Sequence, residues 1–126
     1  MVEDVVADFI EEFELKVKEL KIGDPMDEET DIGLLAKEEF IEGLERVLID
    51  SKKKGVKPHV YGEEHKKGFF FRPALIPAAS MDMEVCRTEV FGPIAPVITV
   101  KDENEAVEVA NSTEYGLGAK IWFGGP

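Results

Sequence analysis

Two long stretches of the sequence place an apolar residue at every third or fourth position. In the first, Met1 to Leu20, the apolar positions are Val2, Val6, Phe9, Phe13, Val17 and Leu20. This spacing puts them on one face of a helix, and glutamates and lysines occupy the opposite face. The pattern predicts an amphipathic helix that covers a core and ends at Gly23-Asp24-Pro25. A membrane-surface or partner helix is the alternative, which the acidic residues on the polar face disfavour.

The second stretch, from Lys37 to Lys53, predicts another helix, because its apolar residues again form one stripe. Gly55 follows it as a C-terminal stop. The stripe consists of Phe40, Ile41, Leu44, Val47 and Leu48.

Later segments have the composition of strands. The candidates are His59 to Tyr61, Phe69 to Ile76, Ile94 to Val100, and a further strand that begins in Lys120 to Phe123. Two of them, Phe69 to Ile76 and Ile94 to Val100, are apolar at nearly every position, so we expect them to be covered on both faces. Between the last two strands, the D-x-x-E spacing of Asp102 and Glu105 predicts the start of a short helix. Strands that alternate with helices predict an α/β fold with a parallel sheet.

Length and charge narrow the class of protein. The 126 residues make about one small domain, and 27 acidic against 15 basic residues give a formal charge of −12. This charge repels nucleic acid and anionic lipid, so we expect neither as a partner. No apolar run approaches the roughly 20 residues that span a bilayer.

The sequence also predicts where the protein is located. One cysteine, Cys86, allows no internal disulfide. Glu3 and Asp4 stand where a signal peptide would have basic residues, so we expect a cytoplasmic protein.

Metal binding is not predicted. Five acidic residues lie between Asp24 and Asp31, but they lack the ligand order and closing glutamate of an EF-hand loop. His59 and His65 have no partner at the spacing of a zinc site.

The most informative segment runs from Met83 to Val97 and reads M-E-V-C-R-T-E-V-F-G-P-I-A-P-V. Gly92-Pro93 predicts a fixed turn, because glycine takes backbone angles closed to other residues and proline fixes φ. Just before the turn, Glu89 could accept hydrogen bonds from a pair of hydroxyls, and Phe91 could pack on a flat ring. A ribose with its base fits both. The structural alternative is a carboxylate at a helix end, a core phenylalanine and a turn.

The text E-V-F-G-P resembles the E-[IV]-F-G-P motif of the aldehyde dehydrogenase superfamily. Three more segments resemble that family: G-D-P-M-D-E-E-T-D-I-G-L-L, with Leu34 where the family has proline; G-F-F-F-R-P-A-L, with Ala74 where it has threonine; and A-N-S-T-E-Y-G-L-G-A. The resemblance covers residues 5–123. The segment around Glu89 is most similar to succinate-semialdehyde dehydrogenases.

This resemblance implies that residues 1–126 are one partial domain of the family's catalytic domain. The implied fold is α/β, a partial three-layer sandwich with a mostly parallel sheet flanked by helices. The implied function is the oxidation of an aldehyde, with succinate semialdehyde as the first candidate, to a carboxylic acid with NAD or NADP. By resemblance, Glu89 binds the nicotinamide ribose and Phe91 packs beside the nicotinamide.

The chemistry of the family also needs parts that this sequence lacks. The chain contains no glutamine, so the G-Q-x-C nucleophile motif is absent, as are the E-L-G-G base motif and a G-x-G-x-x-G loop. Cys86 lies outside any nucleophile motif and is interpreted as a packing residue. We therefore assign no catalytic residue, and we expect an enzyme fragment that alone binds neither NAD nor NADP and does not oxidise aldehydes. A non-catalytic folded remnant or interaction module is the alternative.

The helices of this chain can cover only part of the apolar surface of its strands. The remaining apolar surface predicts a homo-oligomer.

Overall fold

The computed structural model describes residues 1–64, 68–116 and 118–122, and every structural statement refers to these ranges. Helices and short strands follow one another in the order α1 (Glu3–Glu19), α2 (Glu38–Lys53), β1 (His59–Val60), β2 (Ala74–Ile76), α3 (Glu84–Arg87), β3 (Ile94–Pro96) and α4 (Glu103–Ala110).

A small mixed sheet lies at the centre, with β2 between β1 and β3. β1 runs antiparallel to β2, with His59 opposite Leu75. β3 runs parallel to β2, with Ala95 opposite Leu75. Past β3, the chain also forms a parallel bridge to the N-terminus, between Val100 and Val2.

Helices cover both faces of this sheet. Leu75 and Ile76 are neighbours on β2 whose side chains point to opposite faces, and neither is exposed to solvent. Ile76 packs in a cluster with Val47 of α2. Leu75 packs in a second cluster with Val17 of α1. Helix, sheet and helix therefore form three layers, which confirms the predicted α/β sandwich.

The helix predictions from periodicity are confirmed. α2 ends at the predicted Lys53, whereas α1 ends at Glu19, before the predicted stop at Gly23-Asp24-Pro25. Gly55 follows α2 with a φ of 86°, the left-handed conformation that terminates helices. At the start of α4 the Asp102 side chain accepts a hydrogen bond from the Glu105 N–H, and the Glu105 carboxylate accepts one from the Lys101 N–H. The D-x-x-E pattern therefore forms the predicted helix start.

The strand predictions are too long. Residues 69–73 are not part of a strand, because Pro73 has no N–H and the segment has no neighbouring strand among the described residues. Phe69, at the start of this segment, is exposed. Only 94–96 of the run 94–100 forms a strand, and the exposure of Thr99 shows that the run is not covered on both faces. Residues 120–122 are not in a strand, and Phe123 lies outside the described residues.

Few N–H groups are free along the outer edge of β3. Backbone groups of β3 that do not face β2 point to this edge. There the Ile94 N–H donates to the Gly92 carbonyl, Pro96 has no N–H, and the Val100 N–H donates to the Met1 carbonyl. A second chain would therefore find few free N–H donors along this edge of β3.

Candidate functional site

The two predicted site residues lie in the connection between α3 and β3. α3 ends at Arg87, and the Thr88 hydroxyl donates a hydrogen bond to the Glu84 carbonyl. Glu89 and Phe91 follow in irregular backbone. The chain then bends into β3, with Pro93 at the centre of a three-residue turn closed by the hydrogen bond from Ile94 to Gly92. The turn predicted from Gly-Pro is therefore present.

The physical reason for the glycine in this turn differs from the predicted one. Gly92 is not among the glycines with positive φ, so the backbone angle does not require it. A β-carbon at position 92 would lie 2.4 Å from Cδ1 of Leu44, a residue of α2 that is 2% exposed. Gly92 is needed because the chain passes directly over α2.

Glu89 and Phe91 line a cleft between α2 and the segment after α3, with a volume of about 210 Å³. The Phe91 side chain is 62% exposed, which is incompatible with a core phenylalanine. Its ring stacks on that of Phe40 in α2, with centroids 5.7 Å apart and planes inclined by 30°.

The three carboxylates of the cleft differ in their partners. Glu84 is 2.6 Å from the Nε of Arg46, and Glu39 is 2.9 Å from the Nζ of Lys37. Glu89 has no hydrogen bond or ion pair to any other described residue. Of these carboxylates, Glu89 is therefore the one without a partner in the part of the chain that the structure describes.

Polar contacts fix α3, and with it the start of the site segment, against α2. The Asp50 carboxylate accepts a hydrogen bond of 2.8 Å from the Glu84 N–H, the first of α3. Lys54 lies 3.0 Å from the same carboxylate and also donates to the Asp82 carbonyl. The hydrogen bond from the Glu84 N–H is the main reason that the pKa of Asp50 lies below its usual range, and the hydrogen bond from Lys54 is the second. α3 was not predicted, since four residues give no periodic pattern.

His59 has hydrogen-bond contacts that the sequence did not indicate. Its Nδ1 lies 2.6 Å from Oε1 of Glu14 on α1, and the Tyr61 hydroxyl donates to the same oxygen at 3.0 Å. The hydrogen bond with His59, and then that from Tyr61, lowers the pKa of Glu14. Burial raises the pKa of Tyr61. The contacts tie α1 to β1, and the 45-residue separation of Glu14 and His59 hides them from sequence patterns.

The other residues considered for chemistry have structural contacts. Cys86 packs against the apolar cluster of Ile76, and burial raises the pKa of its thiol. The carboxylates of Asp24, Asp27 and Asp31 accept hydrogen bonds from N–H groups of their own loop and its neighbour Lys21. The described part of the chain contains no group of three or more His, Cys, Asp or Glu side chains placed to hold a metal. His65 lies outside the described residues.

None of the helices in the described ranges is both long enough and apolar enough to cross a bilayer.

Comparisons with known proteins agree with the fold and the motifs. The family model described as the aldehyde dehydrogenase family matches residues 1–123. The chain is 36% identical over 120 residues to succinate-semialdehyde dehydrogenase [NADP(+)] 1 of Mycobacterium tuberculosis, a match that covers 94% of this chain and 26% of that protein. This chain therefore spans about a quarter of the length of the curated relatives it matches.

Solved structures give the same result. The crystal structure of aldehyde dehydrogenase from Brucella melitensis biovar abortus 2308 matches with a TM-score of 0.85 at 34% identity, over 92% of this chain and 24% of that one. A structure of 3,6-anhydro-L-galactose dehydrogenase in complex with NAP matches with a TM-score of 0.81 at 32% identity, over 92% of this chain and 25% of that one.

Proposed function

The chain belongs to the aldehyde dehydrogenase family, and from that premise we propose that it supplies the nicotinamide-ribose contact of an NAD(P)-dependent enzyme that oxidises an aldehyde to a carboxylic acid. The observation that carries this proposal is the pairing of Glu89 and Phe91 on one open cleft. An ionised carboxylate without a cationic partner accepts hydrogen bonds from two adjacent hydroxyls, and an exposed ring packs on a flat heterocycle. Both features fit a nicotinamide riboside.

The size of the cleft limits what it can hold. Its volume of about 210 Å³ is below the range of about 300–1,000 Å³ that encloses a whole drug-sized ligand. We propose that the remainder of the cofactor, the nucleophile and the general base come from parts of a longer catalytic domain of which this chain is one partial domain. This interpretation is supported by the finding that the chain matches only about a quarter of the length of its curated relatives.

In such an enzyme the residues of this chain would act by positioning. The cofactor supplies hydride acceptance at its nicotinamide ring. Glu89 would hold the ribose hydroxyls and so fix the direction in which the ring points. Phe91 would pack beside the ring and keep water from that side. Neither residue transfers a proton or forms a bond with the substrate.

Succinate semialdehyde is the first substrate to test, because several relatives are named succinate-semialdehyde dehydrogenase [NADP(+)]. For the same reason NADP is the first cofactor to test, with NAD as the alternative. We propose a cytoplasmic location, because a sequence with a single cysteine, Cys86, is compatible with a reducing compartment.

The complete reading frame around this chain tests the proposal. We expect it to encode a G-Q-x-C motif upstream, and its product to reduce NADP or NAD with succinate semialdehyde, while the 126-residue chain alone shows no turnover. A frame without that motif would favour the alternative of a non-catalytic remnant or interaction module. Turnover by the chain alone that survives repurification and is lost in Cys86→Ser would contradict the assignment of no catalytic residue.

We also propose that the chain forms a homo-oligomer through apolar side chains that remain exposed on α1 and near the C-terminus. Phe9 is 41% exposed, and Ile121 and Trp122 are more than 80% exposed. The charge of −12 opposes association only weakly beyond about 8 Å at physiological salt. We expect sedimentation equilibrium to show a dimer or larger species. A monomer at every concentration, at low and physiological salt, would contradict this expectation.

A further inference from the structure

The position of the Glu89 carboxylate depends on the backbone that carries it, because its side chain has no hydrogen bond or ion pair to any other described residue. That backbone is irregular over residues 88–93. The regular element that directly precedes it is α3, which ends at Arg87. Whatever fixes the orientation of α3 therefore also fixes where Glu89 begins.

Apolar packing holds one side of α3. Met83, directly before the helix, is 2% exposed, and Val85 within it is 6% exposed. Both belong to the apolar cluster of Ile76. Apolar contacts have no preferred direction, so they hold α3 close to the sheet without fixing its rotation. The rotation depends on polar contacts.

Glu84 makes these polar contacts with three of its groups. Its N–H donates to the Asp50 carboxylate at 2.8 Å, and its own carboxylate lies 2.6 Å from Nε of Arg46, so both contacts reach α2. Its carbonyl accepts two hydrogen bonds from Thr88, at 3.1 Å from the N–H and at 3.0 Å from the hydroxyl. A continuous set of hydrogen bonds therefore leads from α2 through Glu84 to the residue directly before Glu89.

Asp50 makes the contact that the sequence of α3 itself does not supply. Met83 makes no side-chain hydrogen bond that caps the helix, and the helix cannot satisfy its own first N–H groups. The Asp50 side chain is 24% exposed, and Lys54 holds its carboxylate at 3.0 Å. The Arg46 side chain is 67% exposed, and ion pairs of exposed side chains contribute little. Asp50 is therefore the main polar anchor of Glu84.

We propose that Asp50 is a positioning residue for Glu89: through Glu84 and Thr88 it sets the place of the Glu89 carboxylate in the cleft. Asp50 itself does not line the cleft. This inference rests on the proposed function, in which Glu89 holds the ribose hydroxyls. It adds a residue of α2 that acts on the ligand only through Glu89.

Hydrogen exchange of the Thr88 amide in the 126-residue chain tests the anchoring. This amide donates to the Glu84 carbonyl, and its exchange reports local opening of that contact. Asp50→Ala removes the acceptor of the Glu84 N–H, so we expect exchange to become about tenfold faster. Asp50→Asn keeps an acceptor oxygen and should restore most of the protection.

Asp102→Ala is the matched control. The Asp102 carboxylate also accepts a hydrogen bond, of 2.9 Å, from an N–H in the first turn of a helix, but that helix is α4. We expect both alanine variants to lower the urea midpoint to a similar extent. Faster exchange of the Thr88 amide in Asp50→Ala alone would then be local to α3.

The rate of hydride transfer in the full-length enzyme that we propose separates positioning from a structural role. Asp50→Ala should slow single-turnover transfer by about tenfold, because misplacement by about 1 Å can cost up to about a hundredfold. Since Asp50 acts through Glu89, adding Asp50→Ala to Glu89→Gln should cost less than the two single effects multiplied together. Asp50→Asn should recover the rate, and Asp102→Ala should keep the parent rate.

Exchange of the Thr88 amide in Asp50→Ala at the parent rate would overturn the inference whatever the cleft binds. Fully independent effects of Asp50→Ala and Glu89→Gln on hydride transfer would overturn it as well. The proposed function has its own test in Glu89→Gln alone. A slower rate in that variant, together with an unchanged rate in Asp50→Ala, would leave the function standing and remove the role of Asp50.

Discussion

In the full-length enzyme that we propose, Glu89→Gln is expected to slow hydride transfer by about ten- to a hundredfold while leaving the fold intact. The substitution keeps the shape of the side chain and one acceptor oxygen but removes the charge. Hydrogen bonds to charged groups contribute about 1.5–3 kcal/mol, and each 1.4 kcal/mol corresponds to a factor of ten in rate. Because Glu89 has no partner among the other described residues, no internal ion pair is lost with it.

Single-turnover measurement of NADPH or NADH formation isolates this step from product release. Glu45→Gln is the matched control, since it removes one carboxylate from an exposed position on α2 that does not line the cleft. We expect the control to retain the parent rate, and both variants to unfold at the parent's urea midpoint. An unchanged rate in Glu89→Gln would show that this carboxylate does not hold the ribose.

The parts of the fold that were predictable are those governed by local periodicity. α1, α2 and the Asp102 start of α4 follow from side-chain spacing and capping within a few residues of sequence. Strand lengths were not predictable, because a run such as 69–73 becomes a strand only where a partner lies beside it. Apart from Arg72, the composition of that run is apolar in either case.

The candidate site shows the same division. The sequence placed Glu89 and Phe91 next to a turn, and the structure puts them on one cleft. It did not indicate that Phe40 lies against Phe91, since 51 positions separate them and an apolar stripe on a helix looks the same whichever surface it faces. Polar contacts between distant residues, such as that of Glu14 with His59, could not be predicted either, because 45 positions separate the two residues.

Gly92→Ala connects the site with the stability of the chain, and we expect it to lower the free energy of unfolding by about 1–3 kcal/mol, the usual cost of overpacking a core. The added methyl would lie 2.4 Å from Cδ1 and 2.8 Å from Cδ2 of Leu44. Leu44 is 2% exposed, so its side chain has little free space to move into. Gly116→Ala is the control, because a β-carbon there meets no atom of the described residues within 4 Å.

A double variant identifies Leu44 as the cause. Leu44→Ala alone should cost about 2–5 kcal/mol through the cavity it leaves, but in combination with Gly92→Ala the new methyl enters that cavity. We therefore expect the double variant to be more stable than the sum of the two single effects, by about 0.5–3 kcal/mol. Urea unfolding of the four chains measures this difference. Strict additivity, or a Gly92→Ala chain as stable as the parent, would show that the segment carrying Phe91 can move away from α2, and that Gly92 does not set its distance from that helix.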